Sequence, residues 1–183
     1  MRIRSFLTAA LLALILLPAS LSSAEITDED MAPGGIRIGM TRAEVEELYG
    51  TPTDIADGVN SFDGVSYGLH TNDYGDTFSV DFRKSEDMDD FEVYSVRLGV
   101  NDVNEYNMRP TDAARDIATP QGIRPDSTRK DLEAAYGYIP KPKCSHNAPP
   151  VCGYFYEGET AKLGFYICAE HSPGIRSIRL TVK

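Results

Sequence analysis

The sequence predicts an α+β fold of two tandem repeats, each a short helix packed on a three- or four-stranded antiparallel sheet. Three observations carry that expectation. The segment Gly35–Gly50 aligns without gaps onto Gly122–Gly137, identical at eight of sixteen positions. A second collinear match sets Val93–Val100 against Ile175–Val182. After each helical segment, apolar residues recur with a period of two, the signature of half-buried strands. A repeat of this kind fixes the organisation before any element is assigned. It divides the chain into a leader over residues 1–24 and two units over residues 25–108 and 109–183.

The leader reads as a cleavable signal peptide. Arg2 and Arg4 precede the apolar run Phe6–Pro18, and Ser22-Ser23-Ala24 supplies the small residues of a cleavage site. The run is too short for a comfortable membrane span, and polar Glu25-Ile26-Thr27-Asp28 follows it. The expected product is periplasmic or secreted, without membrane insertion once cleaved. The formal net charge of −10 over 183 residues argues against nucleic acid, whose phosphates demand a basic stripe. That charge is lopsided. Residues 25–103 hold 19 Asp/Glu against 5 Lys/Arg, whereas residues 104–183 hold 9 against 11.

Within the first unit, Thr41 is positioned as an N-cap, Glu44 completes a capping box, and Met40 can staple onto Val45. The helix should bury Val45, Leu48 and Tyr49, with Gly50 ending it. The second unit repeats the plan with Thr128, Asp131, Leu132, Ala135, Tyr136 and Gly137, but Ser127 replaces the staple methionine. Strands are expected over Val65–Thr71, Thr77–Arg83 and Val93–Val100, then over Val151–Glu157, Leu163–Cys168 and Ile175–Val182. Alternation assigns Val65, Tyr67, Leu69, Phe78, Val80, Phe82, Val96 and Leu98 to the helix side of the first unit. Val151, Phe155, Leu163, Phe165, Ile167, Ile178, Leu180 and Val182 take that side in the second. One helix cannot cover both faces of a sheet. The other face would therefore present Ser66, His70, Ser79, Asp81, Arg83, Ser95 and Arg97, followed by Cys152, Tyr154, Tyr156, Tyr166, Cys168, Ser177 and Arg179.

Known chemistries fit poorly. Gly64-Val65-Ser66-Tyr67-Gly68 matches the nucleophile-elbow pattern, but that motif needs a strand, a sharp turn and a helix, whereas these residues continue as a strand. His70 would lie about 13 Å further along the same strand, beyond hydrogen-bond reach of Ser66. The acidic turns lack the calcium-loop pattern. Cys144, His146, Cys152 and His171 could offer copper or zinc donors, but not at a standard finger spacing. No catalytic constellation, cofactor motif or strong metal motif emerges. In an oxidising compartment the three mature cysteines, Cys144, Cys152 and Cys168, leave three pairings open.

The run Ile36-Arg37-Ile38-Gly39-Met40-Thr41-Arg42-Ala43-Glu44-Val45 with the following Tyr49-Gly50-Thr51-Pro52 resembles the start of the β-lactamase inhibitor protein repeat. It is also similar to the small outer-membrane assembly lipoproteins of the BamE/SmpA type. The resemblance implies a helix before an antiparallel sheet and, for the inhibitor, a tandem duplication whose sheet forms a partner-binding face. It also implies a bridge after the helix, which favours Cys144 with Cys152. The functional expectation is an exported non-enzymatic protein-binding module, one version being an inhibitor of a secreted or periplasmic enzyme. An envelope-assembly or scaffold component and a metal-binding exported protein are the alternatives. The expected contact residues are Tyr154, Tyr156, Tyr166, Arg179, His70, Arg83 and Arg97, and the acidic first unit would steer a cationic protein partner.

Overall fold

Two eight-residue helices, α1 (Arg42–Tyr49) and α2 (Arg129–Tyr136), form where the capping residues stand. Helices this short are marginal alone, so caps and tertiary packing hold them. In α1 the Thr41 hydroxyl accepts from the Glu44 amide at 3.3 Å, and the Glu44 carboxylate accepts from the Thr41 amide at 2.7 Å. In α2 the Asp131 carboxylate accepts from the Thr128 amide at 2.7 Å and the Asp131 amide donates back at 3.3 Å. Gly50 and Gly137 end the helices at φ 75° and 76°. The computed structural model describes residues 26–50, 54–57, 63–66, 78–84, 91–99, 116–146, 150–168 and 174–183, with backbone only at 54–57, 63–66 and 84. The leader and His70 lie outside these residues.

The strands are β1 (Asp54–Asp57), β2 (Asp63–Ser66), β3 (Phe78–Lys84), β4 (Phe91–Gly99), β5 (Lys143–Cys144), β6 (Val151–Glu157), β7 (Ala161–Cys168) and β8 (Ile175–Val182). They form one antiparallel sheet in the order β1-β2-β3-β4-β8-β7-β6-β5. The protein is therefore α+β. The expected spans of β6 and β8 match the observed ones, while β1 and β5 are additional outer strands too short for alternation to reveal. Of the expected strand Val65–Thr71, Val65 and Ser66 fall in β2 and the rest lies outside the described residues.

At the centre of the sheet β4 pairs with β8, with Arg97 directly opposite Arg179. Strand pairs on either side carry corresponding bulges. One extra residue, Tyr94, interrupts the β3–β4 ladder, and one, Arg176, interrupts the β7–β8 ladder. Each helix start is bonded to the sheet in the same way. The Val93 amide donates to the Met40 carbonyl and the Ile175 amide to the Ser127 carbonyl, both at 2.7 Å. In return the Gly39 and Asp126 amides donate to the Val93 and Ile175 carbonyls. Gly39 and Asp126 both sit at positive φ, a conformation Asp tolerates better than most residues. Gly99 has no such freedom of replacement, because a Cβ there would lie 2.1 Å from the Arg176 carbonyl oxygen.

The core lies between the helices and the sheet. Val45 and Leu132 are fully buried against strand residues such as Val80, Val96, Leu163 and Leu180. Leu48, expected inside, is 52% exposed. The Tyr49 ring instead packs edge-on against Phe78 at 4.9 Å, so the buried stripe runs through Val45 and Tyr49 and leaves Leu48 at its margin. The segment before α1 crosses to the second half of the chain. The Asp28 carboxylate accepts from the Thr160 amide at 2.9 Å and the Thr160 hydroxyl at 2.6 Å, while Met31 enters the core. The Gly34 amide donates to Ala118, and Gln121 donates to the Asp30 carboxylate.

Candidate interaction face

The side of the sheet opposite α1 and α2, helix-free among the described residues, is built from alternate residues of β3, β4, β8, β7 and β6. Register alone places Ser79 beside Arg97, Asp81 beside Ser95, Gly164 beside Arg179, and Phe155 beside Gly164. The Arg97 guanidinium donates to the Ser79 hydroxyl through Nε at 3.1 Å and Nη2 at 2.9 Å, so the arginine stem lies along the sheet and buries Ser79. The Ser95 hydroxyl donates to the Asp81 carboxylate at 2.7 Å. Arg83 stands over the exposed Tyr94 ring, 5.1 Å from its centroid. The bulge turns Tyr94 out beside Ser95, a common use of an extra residue in a strand.

Further along this face lies an aromatic pair with cations around it. Phe155 meets Tyr166 edge-on, centroids 5.7 Å apart and planes at 89°. Lys162 and Lys143 place their ammonium groups 4.7 and 5.7 Å from the Phe155 centroid, and Arg179 stands 4.9 Å from that of Tyr166. The glycines explain why the rings lie low. A Cβ on Gly153 would come within 2.7 Å of Phe155, and one on Gly164 would meet both rings at 3.0–3.1 Å. The Phe155 ring lies over the space left by Gly153 on its own strand and by Gly164 across from it, with the Tyr166 ring against the same two glycines. Cations over aromatic faces are attracted by the ring quadrupole.

Two expected contact residues belong elsewhere. Tyr154 and Tyr156 pair with Phe165 and Leu163 on the helix side and are buried, whereas Phe155, assigned to the core, takes the opposite face. Tyr156 stacks on Tyr136 at 4.6 Å and donates to the Tyr138 carbonyl at 2.7 Å. The run Val151-Cys152-Gly153-Tyr154-Phe155-Tyr156 is apolar or small at both parities, so period two could not choose a face. The paired glycines were the available signal. Tyr166, Arg179, Arg83 and Arg97 do share the helix-free face.

The buried tyrosines serve as donors. Burial pushes the Tyr136 hydroxyl up to about 12 and raises those of Tyr156 and Tyr49 as well. Their protons stay on at neutral pH, and Tyr49 gives its own to the Gly34 carbonyl at 2.6 Å. Cys144 and Cys152, directly paired between β5 and β6, form a disulfide, and Cys168 is buried as a free thiol. Cys152 faces the helix side, opposite to its expected face, because it pairs with Ile167. The disulfide takes Cys144 and Cys152 out of the copper or zinc donor set. Among the described residues no group of three or more His, Cys, Asp or Glu converges as a metal site, and no helix is long and apolar enough to cross a membrane.

No family profile matches the chain, and no curated protein does. Two solved structures are similar to it. One is a DUF4309 family protein from Bacillus subtilis, 17% identical, with a TM-score of 0.41 and 78% of each chain covered. The other is an extracellular protein containing an SCP domain from Bacillus anthracis, 11% identical, with a TM-score of 0.48. That match covers 86% of this chain, which spans about half (46%) of the Bacillus anthracis chain.

Proposed function

We propose that the chain is an exported, non-enzymatic protein-binding module that meets its partner through the helix-free face of the sheet. The observation that supports this most is the tract of side chains on that face, running from Tyr94 and Arg83 through Arg97 and Arg179 to Tyr166 and Phe155. Tyrosine and arginine dominate binding hot spots because each offers large contact area with directional polar groups. Strands hold such groups more rigidly than loops do. Export is supported by the leader in the sequence and by the Cys144–Cys152 disulfide, a bond characteristic of oxidising compartments.

The two halves are read as a tandem duplication of the β-lactamase inhibitor or BamE/SmpA type. Three features support it: the strand seam centred on the equivalent residues Arg97 and Arg179, the corresponding bulges at Tyr94 and Arg176, and the equivalent helix-to-sheet hydrogen bonds. Inhibition of a secreted or periplasmic enzyme is one form such binding would take. A photo-crosslinking residue placed at Tyr166, and separately at Glu47 on α1, tests the face in the exported protein. A discrete protein adduct from position 166 alone is expected. Adducts only from position 47, or from neither, would overturn the reading.

A further inference from the structure

Resting on that reading, we infer that the partner presents an acidic segment to the second half of the face, reversing the charge expected from composition. The acidic residues of the first half with described side chains are largely engaged in structure. Asp28 and Asp30 hold the N-terminal segment, Glu44 caps α1, and Glu46 pairs with Arg42 at 3.0 Å. None of the four belongs to the helix-free face. On that face Asp81 already accepts from Ser95.

Around Phe155 and Tyr166 the described residues carry the opposite sign. Lys143, Lys162 and Arg179 surround two rings, and Glu157 lies 3.5 Å from Lys162. Two ammonium groups converge on a single phenyl ring. Their mutual repulsion is relieved when a carboxylate comes between them, while the ring offers apolar contact to the carbon chain that carries it. A protein of net charge −10 with this local excess of cations attracts an acidic segment at one place and repels it elsewhere, which fixes the docking orientation. The same net charge disfavours a nucleic-acid polyanion.

The test uses the mature chain and three fluorescein-labelled probes: a peptide alternating Glu and Tyr, one alternating Lys and Tyr, and an oligonucleotide of matched charge. Anisotropy measures binding, and amide shifts locate it. The Glu–Tyr peptide is expected to bind, to shift the amides of Gly153 and Gly164, and to weaken as salt rises. The double variant Lys143→Glu/Lys162→Glu, which changes one exposed and one half-buried side chain outside the core, should bind it about tenfold or more weakly, equivalent to about 1.4 kcal/mol. Phe155→Leu keeps the glycine hollow filled and should lose about two- to fivefold. Preference for the Lys–Tyr peptide, equal binding of the oligonucleotide, or no loss in the double variant would overturn the acidic assignment. If a position-166 adduct persists undiminished in that double variant, the interaction face stands and only its charge preference fails. If no adduct forms from either protein, the face itself fails.

Discussion

The two helices share a plan, yet their surroundings differ. Each has a threonine capping box, a terminal glycine, an apolar residue buried one turn in, and a last-turn tyrosine. Around α1, Tyr49 meets Phe78 and a backbone carbonyl, and Leu48 is left outside. Around α2, Tyr136 enters an aromatic cluster with Tyr156 and Phe165, and a disulfide joins the strands just beyond. Local capping chemistry thus sets where a helix begins, while the residues it lands on set how much it stabilises the whole. Among the described residues the larger aromatic cluster and the disulfide both belong to the second half, beneath the aromatic and cationic tract.

Core truncation should separate the halves most. Leu132→Ala is expected to cost about 3 kcal/mol and the equivalent Val45→Ala about 2 kcal/mol, measured by urea unfolding. A reversed order would mean that α1, not α2, carries the better-packed interface. Replacing Cys144 and Cys152 together by serine removes an eight-residue closure and should cost about 2–3 kcal/mol, with no counterpart in the first half. Thr41→Ala and Thr128→Ala should each cost about 1 kcal/mol. Equal losses would sharpen the view that caps act locally, and a twofold difference would break it.

The smallest expected effect concerns Asp28. Burial alone would raise its carboxyl, but bonds from Thr160, Ala161 and Glu159 outweigh that and hold it below the ordinary range; Asp30 is lowered by its bonds from Thr27 and Gln121. A lowered folded pKa stabilises above the unfolded value, near 3.9, and that contribution is lost as pH falls through the folded one. Asp28→Asn should therefore destabilise at pH 7 by about 0.5 kcal/mol or less, since solvent screens so accessible a carboxylate, and by less still below pH 4. Thermal unfolding from pH 3 to 7 checks this, and an unchanged difference across the range would dissociate the N-terminal segment from acid sensitivity.

The capping boxes, the glycine stops and the spans of β6 and β8 were legible in the sequence because each depends on residues within a few positions. The face assignment of β3, β4 and β8 was legible wherever polar and apolar residues alternate. Tyr154, Phe155 and Tyr156 were misassigned because three aromatics in a row carry no parity. The hollow that seats Phe155 is made by Gly153 on its own strand and by Gly164, which acts through cross-strand register. Strands β1 and β5 were missed because such short edge strands take their identity from the neighbour they pair with. The crossing of residues 26–36 to the β6–β7 hairpin joins positions 132 residues apart, a distance no local pattern encodes.

That crossing bears on the order in which the molecule can fold. Asp28 and Met31 are among the first described residues to leave a ribosome or a translocation channel, yet their bonding and packing partners include Thr160 and the second-half core, among the last. Contacts of such sequence separation form late, after the loop-closure entropy has been met. The first half can build its hairpins early but cannot close its N-terminal flank until the β6–β7 hairpin exists. A chain so arranged stays incompletely folded until nearly all of it is available. That delay would suit the proposed export, in which a polypeptide stays threadable until it has crossed a membrane.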